Sequence, residues 1–242
     1  MLHFKFETAS SHPFTGHFVA LIAKRQSFPA RWLVDISDPY CLMPEPSPYN
    51  RVLYGALSRW VEGAVVAGAD AISVMTCAIA DLYETVFPGC RRKTRVIGPL
   101  LSLWRPCQRL SATVSSCMAW CRPQAMVDED VLVNIGNHSE AQLASKVVEY
   151  MAVGRPILNL VSIARDASVT ALADYPAALT LHREPDWRQT GLRPETLHAV
   201  TNFLFDLPAV SPMHAQAARM RYAPEQVAQQ YAEILEGRWG PE

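Results

Sequence analysis

Short apolar runs alternate with helical stretches along most of the chain, and this alternation constrains the fold more than any other feature. Six runs have the length and composition of buried strands: RWLVDI (31–36), AISVMT (71–76), TRVIG (94–98), VLVNI (131–135), PILNL (156–160) and AALTL (177–181). The segments between most of them carry apolar residues at helical spacing. Such alternation is typical of parallel βαβ units. The sequence therefore predicts an α/β protein with parallel sheets.

One segment interrupts this alternation. The apolar residues of LSLWRPCQRLSATVSSCMAWCRPQAMVD follow neither the helical nor the strand period, and two prolines break the segment. We therefore predict a first lobe over residues 1–100, an irregular linker over 101–128 and a second lobe over 129–242. In this prediction two C-terminal helical stretches close the second lobe.

Composition and charge exclude several classes of function. The 22 basic and 23 acidic residues leave a net charge of −1, so the chain lacks the basic field that nucleic acid binding requires. Six cysteines without a basic, apolar leader favour free cytoplasmic thiols, and the close pair Cys117 and Cys121 lacks the second pair that a zinc site needs. No apolar run reaches the roughly 18 residues of a membrane span. Peripheral membrane contact stays open, although no basic, aromatic-rich helix is obvious.

The stretch NHSEAQLASKVVEYMAVGRPILNL, residues 137–160, predicts a loop, a helix and a strand. Ligands of open parallel sheets collect where strands lead into helix N-termini. The strand before this loop brings Asn134 and Asn137 to it, and Ser145 stands at or near the helix N-cap. Unpaired N–H groups at such a helix start stabilise a phosphate, and Lys146 adds a positive charge. The pattern predicts an anion site.

Glu149 lies four residues after Ser145, on the same helix face, where a carboxylate can accept two hydrogen bonds from vicinal sugar hydroxyls. Phosphate and diol together indicate a nucleotide. A purely structural interpretation is equally compatible with these residues, because Ser caps helices and Glu favours early turns. Ser139 and Gln142 also allow a capping box that starts the helix earlier.

VLVNIGN and QLASKVVEYMAVGRPILNL resemble the donor-binding segment of GT-B glycosyltransferases of the family 4 type (glycosyl transferases group 1), whose members often read QLPSK followed by EYxAxGKPI. The resemblance implies that Glu149 holds the ribose of a nucleotide sugar and that Ser145 and Lys146 lie beside the diphosphate. Asn137 and Gln142 belong to the same donor-binding segment.

This segment departs from the family pattern at two positions. Ala144 stands where the family has a proline, which removes a favourable first-turn residue. Ala141 stands where the family has an acid that contacts the donor sugar, and Glu140 is one place away.

Two stretches of the first lobe, SSHPFTGHF (10–18) and RWLVDISDPY (31–40), resemble a subset of this family that reads SPPxSxH and WxxDxRDPW. The resemblance implies that His17, Asp35 and Asp38 act on the sugar side of the reaction. An Asp-Pro turn accounts for Asp38 equally well.

The resemblance covers most of residues 8–100 and 129–236. It implies two Rossmann-like lobes of GT-B type, both incomplete, because the chain looks shortened at its N-terminus and between the lobes. It further implies metal-independent transfer of a sugar from a nucleotide sugar to a glycan or lipid-linked acceptor in polysaccharide or cell-envelope glycan synthesis. The expected location is the cytoplasm or the inner face of the membrane.

Two alternatives belong to other classes of function. The irregular linker and the shortened first lobe also suit a catalytically degenerate remnant that acts only as a nucleotide-binding or interaction module. A dinucleotide-dependent dehydrogenase would need a GxGxxG loop between a strand and a helix, and the sequence has none.

Overall fold

The computed structural model describes residues 6–10, 14–26, 31–42, 51–101, 126–137, 139–184, 186 and 191–238. The chain divides into two compact units, one of Met1–Gly98 with Val227–Glu242 and one of Pro99–Gln226. Most of the predicted linker, residues 102–125, lies outside the described residues, and so do Cys117 and Cys121.

The first unit contains a four-stranded sheet of parallel strands in the order β1-β2-β3-β4. Its elements are β1 (Phe6–Ser10), α1 (Thr15–Arg25), β2 (Arg31–Ile36), α2 (Arg51–Gly68), β3 (Ala71–Val74), α3 (Cys77–Val86), a 3₁₀ helix (Arg91–Lys93) and β4 (Thr94–Val96). The strands are sequential in both chain and sheet, and crossovers between parallel strands follow a right-handed rule, which places α1 and α2 on one face.

Both faces of β2 are buried, as expected for a parallel sheet. Trp32 is fully buried and lies against Gly68 at the end of α2. On the other face, Leu33 packs in a cluster with Val227 and Ile234. The last helix of the chain therefore belongs largely to the first unit, whereas the sequence predicted that it closes the second lobe.

The second unit contains a three-stranded parallel sheet in the order β5-β6-β7. Its elements are β5 (Leu132–Ile135), α4 (Ser145–Val153), β6 (Ile157–Val161), α5 (Ala167–Ala171), β7 (Ala178–His182), α6 (Pro194–Phe205) and α7 (Pro212–Arg221), and α8 (Pro224–Leu235) follows. Its core joins α4, β6 and α7 through side chains that include Val148, Ile157 and Ala218.

The predicted fold class is confirmed, since both units are built on parallel α/β sheets. Two elements differ from the prediction. The strand β1 was not predicted, and three helices rather than two follow β7 among the described residues.

Candidate functional site

The predicted nucleotide site centres on the start of α4. The N-cap is Ala144, which has extended backbone angles (φ −65°, ψ 121°), and Ser145 is the first helical residue rather than the cap. Ser139 is buried and its hydroxyl accepts a hydrogen bond from the Ala141 N–H at 3.3 Å, so the alternative capping box does not form. The helix starts with no side-chain cap. The Val147 N–H donates to the Ala144 carbonyl oxygen at 3.0 Å, whereas the N–H groups of Ser145 and Lys146 have no intrahelical acceptor at these positions.

The polar side chains at this helix start differ in exposure. Ser145 and Lys146 are exposed, and Glu149 is half-buried one turn further along the helix. In the loop before the helix, the Asn137 side-chain amide donates to the Gln142 carbonyl oxygen at 3.0 Å. These two residues therefore shape the loop, and Ser145 and Lys146 remain accessible to an anion.

The end of α4 confirms the predicted Gly-Arg-Pro stop. Gly154 adopts a left-handed conformation (φ 80°, ψ 41°), and its N–H donates to the Tyr150 carbonyl oxygen at 3.2 Å. A side chain here would also meet Ala215, whose Cβ lies 2.9 Å from the ideal Cβ position. Glycine is required by both backbone and packing.

The loop after β5 passes very close to Asp166. A Cβ on Gly136 would lie 2.5 Å from Asp166 Oδ2, so only glycine fits. Asp166 is buried, and its Oδ1 accepts from the Ser168 N–H at 2.8 Å, which caps α5. Its Oδ2 has no hydrogen-bond partner among the described residues. This contact fixes the path of the loop between β5 and the start of α4.

Asn134 does not reach the loop, contrary to the prediction. It lies in the middle of β5, buried, and donates from its amide to Asn159 Oδ1 at 2.7 Å. Asn159 in turn donates to Thr180 Oγ1 at 3.2 Å. The three residues are aligned across the sheet, so this polar row crosses the sheet and is satisfied internally.

The structure explains the departure at position 141. Ala141 is buried, so an acid there would lose its hydration. The neighbouring Glu140 is exposed and pairs with Arg165 at 3.5 Å. Arg165 follows β6 at the carboxyl edge of the sheet, and sequence reasoning missed it as a cation near the loop. Its position just after a predicted strand was the available signal.

In the first unit, Asp35 is engaged by two hydroxyl groups. Its Oδ1 accepts from Ser73 Oγ at 2.6 Å and from the Tyr231 hydroxyl at 2.8 Å. Burial and the Asp35 charge both raise the pKa of Tyr231, which keeps that phenol protonated. The predicted sugar-side carboxylate thus also joins β2 to β3 and α8.

His17 is fully buried in α1, with the Phe14 ring in edge contact at 4.8 Å. Burial lowers the pKa of His17 to about 4, and the opposing charge of nearby Asp35 only partly offsets this effect. Neither ring nitrogen has a hydrogen-bond partner among the described residues. The structure therefore brings His17 and Asp35 together, but it leaves His17 neutral at pH 7 and covered.

Asp38 lies half-buried in the bend after β2. The residues that follow Asp38 are held by hydrogen bonds to a different acid, the buried Glu62. Glu62 of α2 accepts hydrogen bonds from the N–H groups of Tyr40 at 3.0 Å and Cys41 at 2.8 Å, and from the Tyr83 hydroxyl. Burial and the Glu62 charge raise the pKa of Tyr83. Sequence reasoning missed this network.

Comparison with known structures supports the architecture. A sucrose-phosphate synthase from Thermosynechococcus elongatus matches with a TM-score of 0.60 and 12% sequence identity, over 97% of this chain and 74% of that chain. The fold is GT-B-like. At this identity the similarity establishes the fold alone. No family model matches the chain, and no curated protein matches it by sequence.

Within the described residues, no group of three His, Cys, Asp or Glu side chains is arranged to hold a metal ion. In the same part of the chain, no helix is both long and apolar enough to cross a membrane.

Proposed function

We propose that this protein is a glycosyltransferase of the family 4 type that binds a nucleotide sugar through the start of α4. The acceptor is a glycan or a lipid-linked sugar in polysaccharide or cell-envelope glycan synthesis. The observation that carries the proposal is the uncapped α4 start at the carboxyl edge of a parallel sheet, with Ser145 and Lys146 exposed. The GT-B-like fold supports it.

Three parts of α4 have a role in this proposal. The first-turn N–H groups and Lys146 bind the diphosphate, and Glu149 accepts hydrogen bonds from the ribose hydroxyls. Transfer joins an acceptor hydroxyl oxygen to the anomeric carbon and breaks the bond between that carbon and the diphosphate oxygen. Negative charge develops on the diphosphate, which leaves as the nucleoside diphosphate, and the hydroxyl proton passes to it or to water. The helix dipole and Lys146 stabilise that charge, and the exposed Arg165 is a further cation beside the preceding loop.

Isothermal titration with UDP and GDP sugars tests the donor site. We expect Glu149→Ala to weaken binding by about tenfold or more, because a buried hydroxyl contact to a carboxylate is lost. Glu195→Ala is the matched control, since Glu195 is an exposed acid in the first turn of α6. Equal affinity in wild type and Glu149→Ala, or no binding by either, contradicts the donor site.

A catalytically degenerate nucleotide-binding module is the second candidate, and two observations favour it. The position of the family's first acid is the buried Ala141, and His17 is covered. Release of sugar from the nucleotide, measured over time with the nucleotides that bind, separates the two candidates. Binding without release supports the module, whereas release that Lys146→Ala slows supports the transferase.

A further inference from the structure

The helix α2 carries apolar side chains on its outward face as well as on its buried face, where Val61, Val65 and Val66 lie. Its one acid, Glu62, is fully buried, whereas Leu57 and Trp60 are 58% and 65% exposed. A surface helix normally turns its apolar stripe to the core and its charges to water. Arg59 is the only charged side chain exposed among residues 55–68 of the helix. The outward face of α2 is therefore largely apolar.

The neighbouring helix α1 has the same character. Val19 and Ile22, one turn apart, are 67% and 55% exposed, and α1 contacts α2. Both helices lie on one face of the first sheet by the crossover rule. We call the four residues Val19, Ile22, Leu57 and Trp60 the outer apolar surface. A contiguous exposed apolar patch with a polar rim marks an interaction site.

The exposed charged side chains that the structure describes on α1 and α2 are positive. Arg25 and Arg59 are exposed, and Glu62 is the only acid in the sequences of α1 and α2. Lys24 is paired with Asp70 at 2.5 Å, just after α2. A second copy docking face to face would bring like charges together, which opposes association. A negatively charged partner is favoured instead.

We propose that the outer apolar surface binds an anionic lipid surface, with Trp60 and Leu57 inserted at the headgroup boundary and Arg25 and Arg59 on the lipid phosphates. Tryptophan is enriched at this boundary because its ring is amphipathic, and basic side chains add electrostatic attraction to anionic lipids. The inference does not rest on sugar transfer. It assigns a specific surface to the peripheral membrane contact that the sequence left open.

Flotation of the full chain with vesicles tests the proposal, using phosphatidylcholine alone and an equal mixture with phosphatidylglycerol. We expect binding to the mixed vesicles, and a loss of about tenfold or more for Leu57→Ser with Trp60→Ser. Arg59→Gln should lose about fivefold on mixed vesicles only. Phe205→Ser is the matched control, because Phe205 is 89% exposed on α6, and its binding should equal that of wild type.

Circular dichroism of each variant establishes that it is folded before flotation. Absent binding to mixed vesicles overturns the proposal, and so does an equal loss in Phe205→Ser. Sedimentation that shows a dimer dissociated by Trp60→Ser overturns it in favour of a second copy. Binding that Leu57→Ser and Trp60→Ser abolish while the protein stays monomeric supports the lipid surface.

Discussion

In the first unit, two ionisable side chains, Glu62 and His17, are buried beside the carboxyl end of β2. In the second unit, the buried polar side chains that pair across the sheet are the neutral amides Asn134 and Asn159. The second unit keeps Lys146 exposed at a helix start. Glu62 already binds the loop after β2 and has little left to offer a ligand, and His17 is covered. The comparison therefore favours the second unit as the place of the proposed donor site.

The buried carboxylate of Glu62 and the buried amides of Asn134 and Asn159 also differ in the free energy that their burial costs. A buried carboxylate is stable only while every donor that solvates it stays in place, and Glu62 has three. A neutral amide row costs less to bury. Loss of the Glu62 side chain should therefore cost more stability than loss of an amide of the Asn134 and Asn159 row.

The largest expected effect is that of Glu62→Ala. The N–H groups of Tyr40 and Cys41 and the Tyr83 hydroxyl would all lose their acceptor, so we expect the free energy of unfolding to fall by about 3–5 kcal/mol. Urea denaturation followed by fluorescence measures it. The exposed Glu195→Ala should change it by less than about 0.5 kcal/mol. A loss below about 1 kcal/mol for Glu62→Ala would refute the network.

The second effect is a pH dependence that His17 produces. Its pKa is about 4 in the folded protein and 6.5 as a free side chain, so the unfolded chain takes up a proton first as the pH falls. Stability from this group is complete above pH 6.5 and is lost between about 6.5 and 4. Between pH 7 and about pH 5 the loss is about 2 kcal/mol.

His17→Leu removes this proton uptake, and its unfolding free energy should depend less on pH than that of wild type by the same amount. Denaturation of both proteins at the two pH values checks this. Equal pH dependence would show that His17 is not buried as a neutral ring.

The sequence predicts a feature well when residues close together in the chain determine it. The bounds of β2 were predicted as they are found, and so was the stop at Gly154, because a local apolar run and a left-handed glycine suffice. Glu62 was missed because its partners Tyr40 and Tyr83 are 22 and 21 residues away.

Long-range contacts account for the other differences. Tyr231 bonds Asp35 across 196 residues, so no local pattern could assign α8 to the first unit. The exposure of Trp60 could not be predicted for the same reason. Periodicity alone assigns an apolar helix to the core, and only the burial of Glu62 shows which face of α2 points outward. The roles of the site residues stay predictions.

A smaller effect is expected from the second sheet. Asn159→Ala would leave the Asn134 amide without its acceptor, at a cost of about 1–2 kcal/mol, whereas the Ser168 hydroxyl would keep Asp166 Oδ1 as its acceptor at 2.6 Å. Asn202→Ala on α6 is the control, since that exposed amide bonds His198, an exposed neighbour one turn away. Thermal unfolding compares the two. A loss as large as that of Glu62→Ala would remove the contrast between the units.

The smallest effect concerns the α4 start. Ala144 has the φ of −65° that a proline ring fixes, so Ala144→Pro should stabilise the second unit by about 0.5–1 kcal/mol. Thermal unfolding with and without nucleotide checks this. A lower Tm would mean that the helix start differs from the one described.

Amide hydrogen exchange with and without the nucleotide that binds tests most directly whether the α4 start holds the phosphate. The account predicts slower exchange at the first-turn amides of Ser145 and Lys146, lost in Glu149→Ala and retained in Glu195→Ala. Slower exchange confined to the first unit, with α4 unchanged, would contradict it.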